Sequence, residues 1–344
     1  MSKITIQRLD SVRDIQLWNE LLFQFPIDCQ DVYFTPEYHN LHVANQEGHG
    51  VCFYMTDGQH ALMVMGMLMP ISDDFFDLQT CNGYGGPIIT NSVPQSFLIE
   101  AWDVWKDACK SSGIIAAFFR LHPLLELGKN LPSDALVRYD RQTVSVDLKI
   151  GISQIWKNAD SRFRNRVTKA KKNGVFVEWN TKACWEFFPD LYLEAMKRLS
   201  ASQNLCFNRE YFKLLQETKF ASVAGIFQAG NLVSGAVFLM GNKFAHYHLG
   251  ARKEDSDSFL MNALFQAGLE RAVEAGKSAL HFGGGRTSAQ DDSLLRFKKR
   301  LGGELLYFSI SAVICNLNKF KLLCDKRNVD AANKSEWLLP YRKP

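Results

Sequence analysis

The residue types best able to do chemistry stand in four stretches. Ser161-Arg162-Phe163-Arg164-Asn165-Arg166-Val167-Thr168-Lys169-Ala170-Lys171-Lys172 carries six cations and no acid. On a helix, Arg162, Arg166 and Lys169 share a face, being four and then three residues apart. Such a stripe is either a solvated face whose cations suit a helix C-terminus or a cradle for phosphates of a nucleotide, a lipid carrier or RNA. The second stretch, Ser278-Ala279-Leu280-His281-Phe282, reads as a strand running into Gly283-Gly284-Gly285-Arg286. Glycines there let the backbone turn sharply and a ligand approach it closely. The last glycine of a dinucleotide fingerprint and the Gly-Lys-Ser/Thr of a phosphate-binding loop are both missing, which argues against those two nucleotide sites; a plain turn is the alternative. The third, Leu294-Leu295-Arg296-Phe297-Lys298-Lys299-Arg300-Leu301-Gly302-Gly303, is a short basic helix ending in glycines, from which a cation can approach the same cleft. The fourth pairs the loop Cys81-Asn82-Gly83-Tyr84-Gly85-Gly86-Pro87 with Phe119-Arg120-Leu121-His122-Pro123, a strand end bearing a cation and an imidazole.

His246 and His248 flank Tyr247 on a strand and so point to one face by alternation. A metal site needs a third ligand at a telling spacing and the sequence offers none, so packing or substrate contact is the expectation and no metal is assigned. No Gly-x-Ser-x-Gly elbow supports a serine hydrolase. The eight cysteines contain no Cys-x-x-Cys pair and sit mostly among apolar residues, as reduced thiols in a cytosolic protein do.

These groups must be positioned by a chain of 344 residues, 47% apolar, 12% aromatic and 22% charged, with a net charge of +4. That profile is globular, and the length favours two domains. The longest apolar run, near residues 61–69, is about half of what spans a bilayer. The N-terminus lacks a secretory pattern. Periodicity predicts a strand over 3–8, a helix over 12–25, a hairpin of strands 51–55 and 60–69, a helix over 96–112 and strands over 114–119 and 143–148. A polar helix over 152–173 follows, ended by Gly174, then a strand over 175–179 and helices over 185–200 and 209–217. Strands over 221–227, 232–240 and 244–249 form a meander, followed by a helix over 259–275, a strand over 279–282, a helix over 294–301 and a strand over 305–314. This is a mixed α+β fold, with one domain over residues 1–150 and a second over 151–344.

In this order the segments resemble the Fem-type peptidoglycan-bridge transferases and the wider FemAB-like branch of the GNAT-fold acyltransferases. The loop 83–87, Arg120-Leu121-His122-Pro123, the basic helix followed by Val175-Phe176-Val177, Tyr247-His248-Leu249-Gly250-Ala251, the triple glycine and Phe297-Lys298-Lys299-Arg300-Leu301-Gly302-Gly303 carry the resemblance, over residues 30–310. It implies two packed GNAT-like domains, each a mixed, mostly antiparallel sheet flanked by helices. The reaction it implies is acyl transfer from a thioester or aminoacyl ester to an amine or hydroxyl. Fem-type members use aminoacyl-tRNA and a peptidoglycan precursor; other FemAB-like proteins use acyl-CoA and modify envelope sugars. The coiled-coil arm of some bridge-forming members is absent. One departure is plain. Where GNAT enzymes hold the CoA pyrophosphate on a glycine-rich loop, this chain has Ala251-Arg252-Lys253-Glu254-Asp255-Ser256-Asp257-Ser258, without glycine and with three acids.

On this resemblance Lys298 contacts the donor's phosphate or carbonyl, and the N–H groups of Gly283, Gly284 and Gly285 are candidate oxyanion donors beside Arg286. Arg162 and Arg166, with Lys169 on the same face, hold acceptor phosphates, and Tyr84 and Arg120 bind substrate from the first domain. A general base is open among His248, His281 and Asp292, with no protein base as a further alternative. The expectation is a cytoplasmic acyltransferase, at or near the inner face of the membrane, that uses acyl-CoA (an acetyl group or similar) on a phosphate-bearing glycan or lipid-linked precursor in envelope polysaccharide biosynthesis. It holds no bound cofactor. Aminoacyl-tRNA as donor is the alternative within that class, and a non-catalytic phosphate- or nucleic-acid-binding protein the alternative outside it.

Overall fold

The structure, a computed structural model, describes residues 3–45, 47–72, 74–289, 291–332 and 337–343. The chain divides into two compact units: Met1–Asp140 with Phe308–Pro344, and Arg141–Tyr307. The expected division fell after residue 150 and gave everything beyond it to the second domain. In the structure the chain leaves the first unit ten residues earlier, and its last 37 residues return to it.

In the first unit, β1 (Thr5–Asp10), α1 (Ile15–Leu22) and α2 (Pro36–Ala44) lead to the hairpin β2 (His49–Thr56) and β3 (Ala61–Ser72). Then come β4 (Phe75–Gln79), the two-residue β5 (Ile88–Ile89), α3 (Gln95–Ser111) and β6 (Ile114–Arg120). The sheet runs β1-β2-β3-β4-β6 and closes on β13 (Glu304–Ile314), whose residues 310–314 pair antiparallel with β6. β4 and β6 are its parallel pair, joined over the sheet by α3, as a parallel connection requires.

β6 is apolar on both faces because both are covered. Ile114, Ala117 and Phe119 join the core that α1 and α3 close with Trp18, Trp102 and Trp105. Ile115 and Ala116 meet Phe320 and Cys324 of α10 (Leu317–Lys326). The C-terminal segment is pinned at Asp77, which is wholly buried. Tyr341 Oη donates to one carboxylate oxygen at 2.7 Å and Arg342 Nε to the other at 2.6 Å. Arg342 also donates to the carbonyls of Met69 and Pro70.

The second unit begins within β7 (Leu136–Asp147), whose residues 143–147 pair antiparallel with β12 (Ala279–Gly284). The helix expected over 152–173 is two. α4 (Ile152–Asn158) ends at an extended Ala159, and α5 (Ser161–Lys172) restarts under Asp160, whose carboxylate accepts from the Arg162 N–H. β8 (Glu178–Trp179), α6 (Lys182–Arg198) and α7 (Arg209–Glu217) follow. The meander β9 (Ala221–Gln228), β10 (Asn231–Met240) and β11 (Phe244–Arg252) comes next, then α8 (Leu260–Glu274), β12 and α9 (Ser293–Lys299). The sheet order is β7-β12-β11-β10-β9-β8. β11 and β12 are parallel, and α8 crosses between them. α4, α5 and α8 cover one face through Ile155, Phe163, Val167, Leu264, Phe265 and Leu269.

In each unit the described strands are mostly antiparallel, with one parallel pair among them and flanking helices, which makes this an α+β chain. Because Asp77 has no water to replace a lost partner, Arg342→Met should lower the unfolding free energy by about 3 kcal/mol, read as a reduced midpoint in urea denaturation at neutral pH.

Candidate active site

The site grows from the place where β11 and β12 part. Their pairing covers Phe244–His246 against Ala279–His281 and stops there. β11 continues to Arg252 along β10, and β12 to Gly284 along β7. Beyond His246 and His281, neither strand has the other as a hydrogen-bonding neighbour. Each strand is irregular at this point. The register of β11 against β10 slips so that Tyr247 and Leu249 face the consecutive residues Phe238 and Val237, leaving His248 opposite no residue. The register of β12 against β7 slips between His281 and Gly283, and Gly283 takes a φ of +71°, which favours glycine.

Lys298 belongs to this place. α9 carries it in with its side chain buried, only 5% of the residue exposed. Its Nζ donates to the Gly284 carbonyl at 2.7 Å and lies 5.6 Å from the centroid of the Tyr247 ring. No carboxylate stands within ion-pair distance of it among the described residues. Burial pulls its pKa down from 10.5 to about 7, Asp292 opposing. Tyr247 is itself fixed by packing, edge-on to Phe265 at 4.8 Å and stacked on Phe282 at 6.2 Å. Gly250 is what admits its hydroxyl, since a Cβ there would stand 2.0 Å from Tyr247 Oη.

Asp292 ties the triple-glycine loop to α9. One carboxylate oxygen accepts from the N–H groups of Leu294 and Leu295, capping the helix. The other accepts from the N–H groups of Arg286 and Thr287 and from the Thr287 hydroxyl. Burial pushes this carboxyl up, but the Leu295, Thr287 and Leu294 donors outweigh it and hold the pKa below its ordinary value. With five donors on it, Asp292 is a cap and a brace, which removes it from the candidate bases. Gly285 must be glycine, because a Cβ would meet Asp292 Oδ1 at 2.4 Å. Arg141 holds the loop from the opposite side, donating to the Arg286 carbonyl at 3.2 Å and more loosely to that of Gly285. The Arg286 side chain is exposed.

The two candidate histidines of this unit have separate surroundings. His281 is buried and its ring meets that of His246 at 5.8 Å. His248 Nε2 and Tyr211 Oη are 2.7 Å apart, and Phe207 lies over both rings. The alternation of His246 and His248 is interrupted by the bulge at His248 itself. Tyr211 on α7 is a partner that no spacing in the sequence marks, and Arg141 is another. Asn262, in the first turn of α8, is wholly buried with no hydrogen bond on its amide oxygen or nitrogen among the described residues.

The basic stripe reaches the start of α8. Arg166 donates to Ser258 Oγ at 2.5 Å, and Lys169 Nζ stands 5.0 Å from the Phe259 ring centroid. Arg162, a turn earlier, is exposed. The preceding loop is closed by Arg252, whose guanidinium donates to the carbonyls of Lys253, Glu254 and Ser256.

Tyr84 and Arg120 lie in the first unit, where the structure joins the two stretches that contain them. The Gly85 N–H donates to the Arg120 carbonyl and the His122 N–H to that of Gly85. The Arg120 guanidinium donates to the Thr80 carbonyl at 3.1 Å, and burial lowers its pKa. Tyr84 packs edge-on to Tyr33 and Phe308. His122 Nε2 and the Asp31 carboxylate form a buried pair at 2.7 Å.

With this geometry in hand, comparison with solved structures is decisive for the fold. A FemX crystal structure superposes with a TM-score of 0.70 over 92% of this chain and 99% of that one, at 14% identity. The chain folds like FemX. The C-terminal domain of a putative lysylphosphatidylglycerol synthetase from Agrobacterium fabrum follows at 0.56, with 13% identity over 92% and 96% of the two chains. A tandem GNAT protein from the clavulanic acid biosynthesis pathway gives 0.51, with 10% identity over 91% and 99%. No protein-family model and no curated protein matches the sequence. The α+β fold expected from the sequence is therefore the one observed, and FemX and the tandem GNAT protein share it.

Lys298 sets a pH test on stability. Its folded pKa lies below the unfolded value, so between about pH 7 and 10.5 the unfolded chain binds more protons and stability rises with pH. Lys298→Met removes that slope. The variant should gain most over the wild-type protein near pH 6, and the gap should narrow steadily towards pH 10 in urea titrations.

Proposed function

We propose that the protein is an acyltransferase that moves an acyl group from an activated ester to an amine or hydroxyl of a phosphate-bearing cell-envelope precursor. The observation that carries this reading is Lys298, a buried amine with a pKa near neutrality, placed where two parallel strands part in a chain that folds like FemX.

The step is an addition and a collapse. The acceptor's nucleophile attacks the donor carbonyl carbon, forming the new bond, and the carbonyl electrons move onto oxygen. The Lys298 ammonium, fixed by Gly284 and Tyr247, donates to that oxyanion. Collapse breaks the carbonyl's bond to its leaving group, which departs with the proton the nucleophile gives up. His248, held by Tyr211, and His281 are the groups on these strands able to relay that proton. Arg162, Arg166 and Lys169 offer charge to phosphates.

Among donors, an aminoacyl ester of tRNA comes first. The whole-chain likeness to FemX supports it, as do the cations of α5 and the exposed acids Glu254 and Asp255, which oppose a pyrophosphate. Acyl-CoA is the second reading. It is favoured by Arg166 and Lys169, which reach Ser258 and Phe259 just before α8 and offer charge to a phosphate there.

The two are separated by offering labelled aminoacyl-tRNA with a nucleotide- or lipid-linked muropeptide, and labelled acetyl-CoA with amino sugars. Transfer from one donor is expected, reduced about 10²–10³-fold by Lys298→Met. Because the protonated lysine is required, kcat/KM should fall as pH rises above about 7. Tight binding of the muropeptide with neither donor consumed would instead assign the chain to a phosphate-binding protein.

A further inference from the structure

The C-terminal helix α10 is held to the first unit by Phe320 and Cys324, with Leu323 partly buried beside them, while Leu317, Lys321, Leu322 and Lys326 are exposed. Between α10, the β3–β4 hairpin and the pinned C-terminal segment lies a cavity of about 370 Å³. Its apolar wall is Ile71, Phe75, Leu322 and Leu323, and its cations are Lys319, Lys326, Arg327 and Arg342. No carboxylate lines it among the described residues.

The four cations are not equivalent. Arg342 is spent on Asp77 and two carbonyls, so it forms the floor. Lys319 stands 4.9 Å from the Phe75 ring centroid and makes no ion pair among the described residues. Lys326 and Arg327, at the helix end, are exposed and likewise form no ion pair among the described residues. Beside them Leu317 and Leu322 are 54% and 43% exposed. Unpaired cations ringing an apolar cavity, next to outward leucines on a short helix, combine the two signals that reversible membrane binding requires. A soluble phosphate would use the charges and leave the leucines without a purpose. A single RNA strand binds by stacking its bases on exposed rings, and of the cavity's two aromatic residues Phe75 lies under Lys319 and Tyr341 is buried against Asp77.

We propose that this face docks on an anionic phospholipid surface, with a lipid phosphate among Lys319, Lys326 and Arg327 and with Leu317 and Leu322 entering the interface. The site is separate from Lys298 and needs no acyl transfer, so it stands or falls independently of the reaction proposed above.

The test is sedimentation of the full chain with vesicles of phosphatidylglycerol and phosphatidylcholine in equal parts, against vesicles of phosphatidylcholine alone. Binding to the anionic vesicles only is expected. The triple variant Lys319→Glu, Lys326→Glu, Arg327→Glu should weaken it at least about tenfold, and Leu317→Ser with Leu322→Ser should weaken it as well. Should the triple variant fold poorly, Lys326→Glu with Arg327→Glu leaves the Lys319–Phe75 contact intact and carries the same expectation. Transfer to a soluble acceptor should be unchanged in these variants. Equal binding to neutral vesicles, no binding to anionic ones, or unaltered binding by the charge-reversed variants would overturn the proposal. Displacement by millimolar inorganic phosphate would reduce the face to an anion site, and retention of an RNA oligonucleotide in place of vesicles would assign it to nucleic acid; either result overturns it.

Discussion

The candidate site depends on one constraint: a parallel strand pair held together for three residues and then released. β11 and β12 are joined by the α8 crossover, which sets them side by side but does not oblige them to stay paired. Beyond His246 and His281 each is claimed by its other neighbour, and a bulge in each strand turns it away. The first unit is built on the same plan, with β4 and β6 parallel and α3 between them, and there the gap is closed. Pairing runs to Gln79 and Phe118, the Thr80 N–H then donates to the Phe118 carbonyl, and Gly85 bridges to Leu121. The loop 83–87 occupies in the first unit what is left open between the strands of the second.

An opening between strands exposes backbone groups and must be supported. Gly283 supplies the positive φ, Gly285 the room for Asp292, and Gly250 the room for the Tyr247 hydroxyl. The carbonyls of Gly284, Gly285 and Arg286 are each held by a cationic side chain. An alanine at Gly250 or Gly285 would force a neighbour to move and one at Gly283 would be strained by its positive φ, whereas Gly58, Gly151, Gly174, Gly230 and Gly276 meet nothing within 4 Å. The triple glycine therefore acts here as a close approach between a loop, a helix cap and a lysine. A flexible hinge would not need three anchors.

Much of this architecture was legible because periodicity reports burial. β2, β3, β6 and the β9–β11 meander are apolar or alternating runs of ordinary length, and they lie where the pattern put them. The split between α4 and α5 escaped the pattern because both helices keep a polar face; only Asp160, a capping residue inside an apparent helix, marks it. β4 is five residues long and gained no periodic signal, while α2, with Thr35 and Pro36 as a good start, carries almost no amphipathic contrast. The position of Lys298 was readable from its motif, and its burial was not, since Lys298 and Lys299 are adjacent and identical in type. The bulge at His248 has no signature in residue type at all. It comes from how three strands share one register, which a single sequence does not state.

Burial of polar groups is common in this molecule, but its consequences differ with the partner. In the first unit Asp77 meets Arg342, His122 meets Asp31, and His42 meets Glu47 at 2.7 Å, so each of these three has a charge-bearing companion. Such pairs offset part of their desolvation, though burial still holds the Asp77 carboxyl above its ordinary pKa against Arg342 and Tyr341. Lys298 has a carbonyl and a ring and, among the described residues, no carboxylate within ion-pair distance. Its charge is left under-compensated, and that lowers its pKa towards neutrality. The same deficit means that any negative charge forming beside it, a carboxylate, a phosphate or an oxyanion, is stabilised more than it would be by a lysine already paired. A buried lysine without an acid costs stability, and the strands that part around it are where that cost can be returned as binding or catalysis.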